Sequence, residues 1–216
     1  MENNAPKCRF RGFTRIELLV ILITIGLLVC VLLPALPRYK VNAQHTQCIS
    51  NLRQMGTAFR LWSSDQSPRY PMALSVTNGG SLEYVLTGQL NRHFQIMSNE
   101  LSTPKLLTCP ADTRRTASNF ASLQNSNISY FVDLDADESN PRLFMAGDRN
   151  WQTNGVAIPA CLCNLTTNDL VWWTKEIHGH SGNVTLADGA AQEYSSEQLQ
   201  SALTNYGTNL IRLAFP

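Results

Sequence analysis

The chain has 216 residues, enough for one domain with a tail or for two small domains. Seventeen Lys and Arg against 16 Asp and Glu leave a net charge of +1. That balance excludes a bulk electrostatic case for binding nucleic acid or a membrane surface. The charge is unevenly placed: Lys7, Arg9, Arg11 and Arg15 crowd the start, whereas Glu17 is the one charge between Ile16 and Pro37. A basic leader, an apolar segment and a polar remainder follow one another.

The run from Phe13 to Leu36 is apolar, and Leu18 to Leu36 carries no charge. About 20 helical residues at ~1.5 Å each cross the ~30 Å hydrocarbon layer, so this segment is long enough to span a membrane. An ordinary secretory signal has a shorter apolar core followed by a small-residue cleavage site. Basic residues before the run place the N-terminus in the cytoplasm, against the weaker opposing weight of Arg38 and Lys40 beyond it. Glu17 is the anomaly, because a carboxylate near the start of a membrane helix is costly and usually marks function. Pro34 removes a helical hydrogen bond and predicts a kink; Pro37 does the same or ends the membrane part.

Val41, Cys48, Leu52, Met55, Phe59 and Trp62 recur at helical spacing, which predicts an amphipathic helix over 39–63. The stretch 64–71 breaks it. Residues 72–127 read as irregular, with a short helix around 81–88, and 102–112 as a loop or strand end. Strand-like runs then cover 128–134, 142–146, 156–162, 170–176 and 183–187. Asp188-Gly189 between two extended runs predicts a hairpin turn, and Ser195 or Ser196 caps a last helix through about Thr204.

Six cysteines are present: Cys8 in the leader, Cys30 in the apolar segment, and Cys48, Cys109, Cys161 and Cys163 beyond. The last four permit three full pairings, and free buried thiols are the alternative. A Cys48–Cys109 bridge would tie the helix to the head. Cys161 and Cys163 would need a turn, since same-side strand positions stand roughly 6–7 Å apart. His178, His180 and Asp188 are the candidate zinc ligands, the two histidines sharing a face if their segment is a strand. The alternative is a hairpin that needs Asp-Gly and a hydrogen-bonded His178. Asp133, Asp135, Asp137 and Glu138 form a denser oxygen cluster of the kind calcium takes, but Phe144 stands where an EF-hand loop ends in glutamate, so a solvated acidic loop is the expectation. No Gly-rich phosphate loop, nucleophile elbow or paired-carboxylate pattern is present, which points away from an enzyme.

Arg11-Gly12-Phe13-Thr14-Arg15-Ile16-Glu17-Leu18-Leu19-Val20, directly before an apolar run, resembles the processing motif of type IV prepilins and type II secretion pseudopilins. The resemblance implies cleavage between Gly12 and Phe13 by a prepilin peptidase, N-methylation of Phe13, and pairing of Glu17 with a neighbouring subunit's terminal amine. Cys48 to Gly56, Cys109-Pro110-Ala111-Asp112, and His178 with nine residues between it and Asp188-Gly189 extend it to nearly the full chain. They resemble prepilin-type proteins with a C-terminal H-x(9)-D-G signature, although Ala190-Ala191 stand where that group often has His-Val.

The expected fold is α+β and pilin-like: a long N-terminal membrane-spanning helix packed on a C-terminal antiparallel sheet of four or five strands. Its parts are a leader (1–12), an assembly helix (13–37), the outer half of that helix (38–63) and a globular head (64–216). The implied function is structural: polymerisation through the N-terminal helix into a type II secretion pseudopilus or a type IV pilus-like filament. Implied partners are prepilin peptidase, like subunits or other pseudopilins, and the assembly machinery of the inner membrane, with the head in the periplasm or outside the cell. No nucleic acid or resident cofactor is expected; calcium and zinc stand as candidates only. The rival readings are a membrane-anchored module that binds surface polysaccharide or cargo through Trp151, Trp172 and Trp173, a minor priming subunit, and an enzyme built on His178 and Asp188. Glu17 argues for ordinary incorporation, because the family's priming subunit commonly lacks it.

Overall fold

A computed structural model describes residues 12–32, 36–66, 69–207 and 210–216, with side chains omitted at 36–38. The leader through Arg11 and the kink expected at Pro34 lie outside these residues. The chain divides into two compact units, Met1–Asn42 and Ala43–Pro216.

The first unit contains α1 (Arg15–Leu32) and the opening residues of α2 (Leu36–Asp65). None of the α1 side chains is buried, although nearly all are apolar. Among the described residues α1 is the one helix long and apolar enough to cross a membrane, by length and composition. Its hydrophobic surface runs all round rather than in a stripe, which suits a lipid surround and not one packed face.

In the second unit, α2 from Ala43 onward is the amphipathic helix its spacing predicts. Cys48, Leu52, Met55, Phe59 and Trp62 are all buried. Full burial of such side chains contributes about 1.5–3 kcal/mol each, so this face is a major part of the core. The residues after it are less irregular than expected. A 3₁₀ turn at Leu82–Tyr84 takes the place of the helix expected around 81–88. It ends at Val85, a turn runs on to Gly88 at φ +67°, and two short helices follow, α3 (Leu90–Ile96) and α4 (Ser98–Leu101). Leu90, Phe94, Met97 and Leu101 from these helices are buried against the same core.

The head carries two antiparallel sheets rather than one of four or five strands. The strands in chain order are β1 (Tyr130–Asp133), β2 (Phe144–Asp148), β3 (Trp151–Thr153), β4 (Val156–Ala157), β5 (Leu162–Leu165), β6 (Val171–Trp173), β7 (Ser181–Leu186), β8 (Ala191–Ser195) and β9 (Ile211–Ala214). The large sheet has the order β5-β9-β1-β2-β7-β8, and the small one β4-β3-β6. All four residues of β1 and all five of β2 are buried. Strands covered on both faces read as continuous apolar runs, which is why their sequences do not alternate. The two sheets meet through aromatic rings: Trp151 on β3 packs edge-on to Phe131 of β1 and to Phe144 of β2, with centroids 4.7 and 6.3 Å away. Ser195 caps α5 (Ser196–Thr204) through a reciprocal pair with Gln198: the Gln198 N–H donates to Ser195 Oγ, and the Ser195 N–H donates to Gln198 Oε1.

Of the expected solvated acidic loop, Asp135, Asp137 and Glu138 are partly or fully exposed, but Asp133 belongs to the interior. Asp133 lies inside β1 with no exposure, takes the hydroxyl hydrogen of Tyr206 and accepts the Asp135 N–H at 2.9 Å. Tyr206 in turn accepts the Phe144 N–H at 2.7 Å, so one chain of hydrogen bonds joins β1, β2 and the segment after α5. Asp135 is held by the Arg212 guanidinium. Asp137 caps its own turn by accepting the Ser139 N–H. With Asp133 consumed in this way, no EF-hand-like oxygen set remains.

Two predictions follow from this packing. A Cβ built on Gly182 in β7 would lie 2.4 Å from the Trp173 ring. Gly182→Ala should therefore lower stability by about 1–3 kcal/mol, read as a lower urea midpoint by tryptophan fluorescence of the detergent-solubilised chain. The second concerns Asp133, whose carboxyl burial pushes up to about 7 against the opposing Tyr206 bond. Between about pH 4 and 7 the native chain holds a proton there that the unfolded chain has released, so Asp133 contributes most stability at low pH and loses it as pH rises. The difference in unfolding free energy between wild type and Asp133→Asn should fall across that window by on the order of 2–4 kcal/mol. A difference independent of pH would show that Asp133 ionises normally in the fold.

Candidate functional site

Two places gather the residues singled out from the sequence. The first is the start of α1. Thr14 precedes the helix and Glu17 lies one turn in. The Thr14 N–H and hydroxyl both donate to Glu17 Oε2, at 2.7 and 2.8 Å, and the Glu17 N–H donates to Thr14 Oγ1 at 3.3 Å. This is a capping box, Thr-x-x-Glu, which satisfies orphan amide groups at the helix start. The negative charge also stands at the positive end of the helix dipole. Glu17 thus has a partner within its own chain, a local role that its spacing from Thr14 could have revealed. Both Thr14 donors use Oε2, so the cap leaves the lone pairs of Oε1 untaken. Gly12 and Phe13 are exposed just before the cap, and a Cβ on Gly12 would meet nothing within 4 Å. Among the described residues, nothing crowds the peptide between them.

The second place is in the head. Cys48 on α2 and Cys109, in the loop after a 3₁₀ turn at Pro104–Leu107, form a disulfide with both residues fully buried. Against it lies His178. The segment 175–180 is a turn rather than a strand, with Gly179 and His180 at φ +61° and +70°, so His178 and His180 do not share a face. His178 Nε2 lies 3.4 Å from Cys109 Sγ and 3.5 Å from Asp148 Oδ2. Its ring stacks obliquely on that of His45, with centroids 4.7 Å apart. The His180 ring instead approaches the Trp173 carbonyl at 3.4 Å. Asp188 lies in the β7–β8 turn, where its side chain accepts the Ala190 N–H and its carbonyl accepts Arg60 Nη1 at 3.0 Å. The structure therefore does not assemble His178, His180 and Asp188 into one site. Among the described residues, Cys48, Cys109 and His178 are the group of three His, Cys, Asp or Glu ligand atoms lying within 4.8 Å of one another.

The surroundings of this cluster are buried and polar. Asp148 is wholly enclosed, and its Oδ2 accepts the Asn183 N–H at 2.7 Å and the Asn183 side-chain amide at 2.9 Å. Burial pushes its carboxyl up to about 7 and pushes His178 down to about 4, the latter helped by His45. The imidazole is therefore neutral at physiological pH, and the close His178–Asp148 approach is not an ion pair there. Asp112, three residues after Cys109, takes two hydrogen bonds of 2.9 Å from Arg149. Although burial raises the Asp112 carboxyl, that guanidinium brings it below the ordinary carboxylate range.

The remaining signature residues are explained by close approach. A Cβ on Gly56 of α2 would lie 2.6 Å from Thr185 Oγ1 and 3.0 Å from the Gly189 Cα. Gly189 itself has φ +83°, as the tight turn requires. The Gly56 and Asp188-Gly189 positions thus form one helix-to-hairpin contact. Cys161 and Cys163 are free thiols at and beside β5, half-buried, with Cys163 pushed up to about 11 chiefly by burial. Thiols held protonated in this way are weak nucleophiles. Of the three tryptophans considered for carbohydrate or cargo binding, Trp151 and Trp173 are buried and Trp172 alone is 37% exposed.

No protein-family model, no curated protein and no solved structure matches the chain.

The disulfide closes a loop of 61 residues. Cys48→Ala with Cys109→Ala should lower the stability of the head by about 2–4 kcal/mol, measured as a drop in urea midpoint relative to the oxidised chain. An unchanged midpoint would mean that α2 is held to the head by its buried face alone.

Proposed function

We propose that the chain is a structural subunit, processed at the Gly12–Phe13 bond by a prepilin peptidase, methylated at Phe13, and assembled through α1 into a pilus or secretion pseudopilus. The observation that carries this reading is an almost wholly apolar helix with no buried side chain, opening directly after the exposed Gly12 and Phe13 and carrying its single acid one turn in. An apolar helix of this kind needs lipid or other apolar helices around it. In hydrocarbon a free amine and a carboxylate each need a partner, and a neighbour's N-methylated Phe13 amine meets both needs if it pairs with Glu17. The capping box is compatible with this, because it occupies Oε2 and leaves Oε1 to accept the amine. The buried Cys48–Cys109 disulfide supports an extracytoplasmic head, with the N-terminus in the cytoplasm and a single pass through the inner membrane. The head then meets neighbours, cargo or the secretion machinery; its aromatic residues serve the core, with Trp172 the one tryptophan facing solvent.

Intact and N-terminal peptide mass spectrometry of protein from native membranes tests the first step. A chain beginning at Phe13 with one extra methyl group is the expected result. A chain beginning at Met1 in cells with active prepilin peptidase would sink the filament reading. The assembly step is tested by Glu17→Val, which should still be cleaved but should disappear from sheared filaments and from crosslinked subunit ladders. Cleaved wild-type protein that never crosslinks to another subunit would instead favour a membrane-anchored binding module.

A further inference from the structure

We propose that His45, Cys48, Cys109 and His178 form a redox-gated zinc site, closed as a disulfide in the oxidised chain and opened to a Cys2His2 ligand set on reduction.

The four residues come from three separate segments that the fold brings together. His45 and Cys48 are three apart on α2, so they are neighbours on one helix face. Cys109 arrives on the loop after the Pro104–Leu107 turn, and His178 on the turn between β6 and β7. One edge of the ligand set already has the spacing a metal needs. With Zn–S about 2.3 Å and Zn–N about 2.0 Å, a tetrahedral sulfur-to-nitrogen edge is ~3.5 Å. Cys109 Sγ and His178 Nε2 are 3.4 Å apart. On reduction the sulfur-to-sulfur edge opens from a covalent bond to ~3.8 Å, a shift within the range of side-chain rotation, and the His45 ring, which stands beside the Cys48–Cys109–His178 group rather than in it, turns in toward the sulfurs.

His45, whose ring packs on that of His178 with centroids 4.7 Å apart, is the candidate for the fourth position. Its Nε2 is buried and has no hydrogen-bond partner; Glu193 Oε1, 3.6 Å away, is beyond hydrogen-bond reach. A buried polar atom left unpaired in a folded protein calls for an explanation, and coordination provides one. Asp148 is the competitor for that position, since its Oδ2 is 3.5 Å from His178 Nε2. That oxygen already carries two hydrogen bonds from Asn183, which hold it in place. The Ala111 N–H approaches Cys109 Sγ at 3.4 Å and would stabilise a thiolate there. Two thiolates and two imidazoles select zinc, or cobalt as its probe, over the hard cations calcium and magnesium.

The chemistry balances. A dithiol reductant transfers two electrons and two protons to the Cys48–Cys109 bond, giving two thiols and the cyclic disulfide of the reductant. The metal ion then displaces both thiol protons to solvent as two metal–sulfur bonds form. Metal and disulfide compete for the same sulfurs, so each state excludes the other.

The test uses the full chain in detergent, oxidised or reduced with a phosphine reductant, and titrated with Co2+ and then Zn2+. The expected result is one Co2+ per reduced chain, with the visible bands of a tetrahedral site and a thiolate-to-cobalt charge-transfer band, displaced by Zn2+. The oxidised chain should show neither. His45→Ala and His178→Ala should each weaken binding at least about tenfold, while Cys161→Ser with Cys163→Ser should leave it unchanged. Zinc should also slow reoxidation of Cys48–Cys109 at least about tenfold, followed by the mass shift of thiol alkylation. Should the reduced chain lose its far-UV dichroism, zinc is expected to restore it. Equal binding to the oxidised chain, binding lost in the Cys161/Cys163 variant, a thiolate band untouched by both histidine variants, or no binding and no refolding on zinc addition would each overturn the proposal.

Discussion

The close contact between α2 and the β7–β8 hairpin governs how the head is built. Gly56 has no room for even a methyl group against Thr185 and the Gly189 backbone. That approach brings the helix down far enough for Arg60 to reach the Asp188 carbonyl and for Cys48, Leu52, Met55 and Phe59 to be lost from solvent entirely. The disulfide pins the same helix one turn and more earlier, beside His178. A tighter or looser helix would disturb three things together: the burial of the apolar face, the geometry of the turn, and the alignment of the two sulfurs. Dense packing transmits such displacements because interiors have few voids to absorb them.

What the amino-acid order revealed, and what it concealed, follows from the range of the interactions concerned. The amphipathic stripe of α2 shows in the sequence because helical periodicity is local. The Asp188-Gly189 turn and the Ser195 cap are equally legible, since each is built from residues within four positions of one another. The three-residue β3 and the four-residue β9 were not, because nothing in so short a run distinguishes a strand from a loop. Their pairing is set by distant partners: β9 lies between β5 and β1. Asp133 misled for the same reason. Its spacing with Asp135 and Asp137 resembled a hydrated loop, while its real partner, Tyr206, stands 73 residues away.

The candidate sites divide along the same line. Glu17 at the head of an apolar run is conspicuous in the sequence, and so is its Thr14 partner once the helix start is placed. The histidines were harder. Treating 178–180 as a strand put His178 and His180 on one face, but the positive φ at Gly179 and His180 breaks that geometry. His45 carried an overlooked signal: a histidine three residues before a cysteine, on a helix already recognised as amphipathic. Its meaning depended on knowing that Cys109 and His178 come to the same end of the core.

The position of β9 has a kinetic consequence. It is the last strand in chain order, yet it sits inside the large sheet, bonded to β1 on one side and to β5 on the other. Until it is seated, the buried strand β1 presents a bare edge, and β5 has no sheet to join. Such sequence-distant pairing is slow because loop closure must precede the contacts that reward it. A head delivered N-terminus first therefore passes through a stage with an open, apolar sheet edge, the kind of surface that recruits chaperones or aggregates.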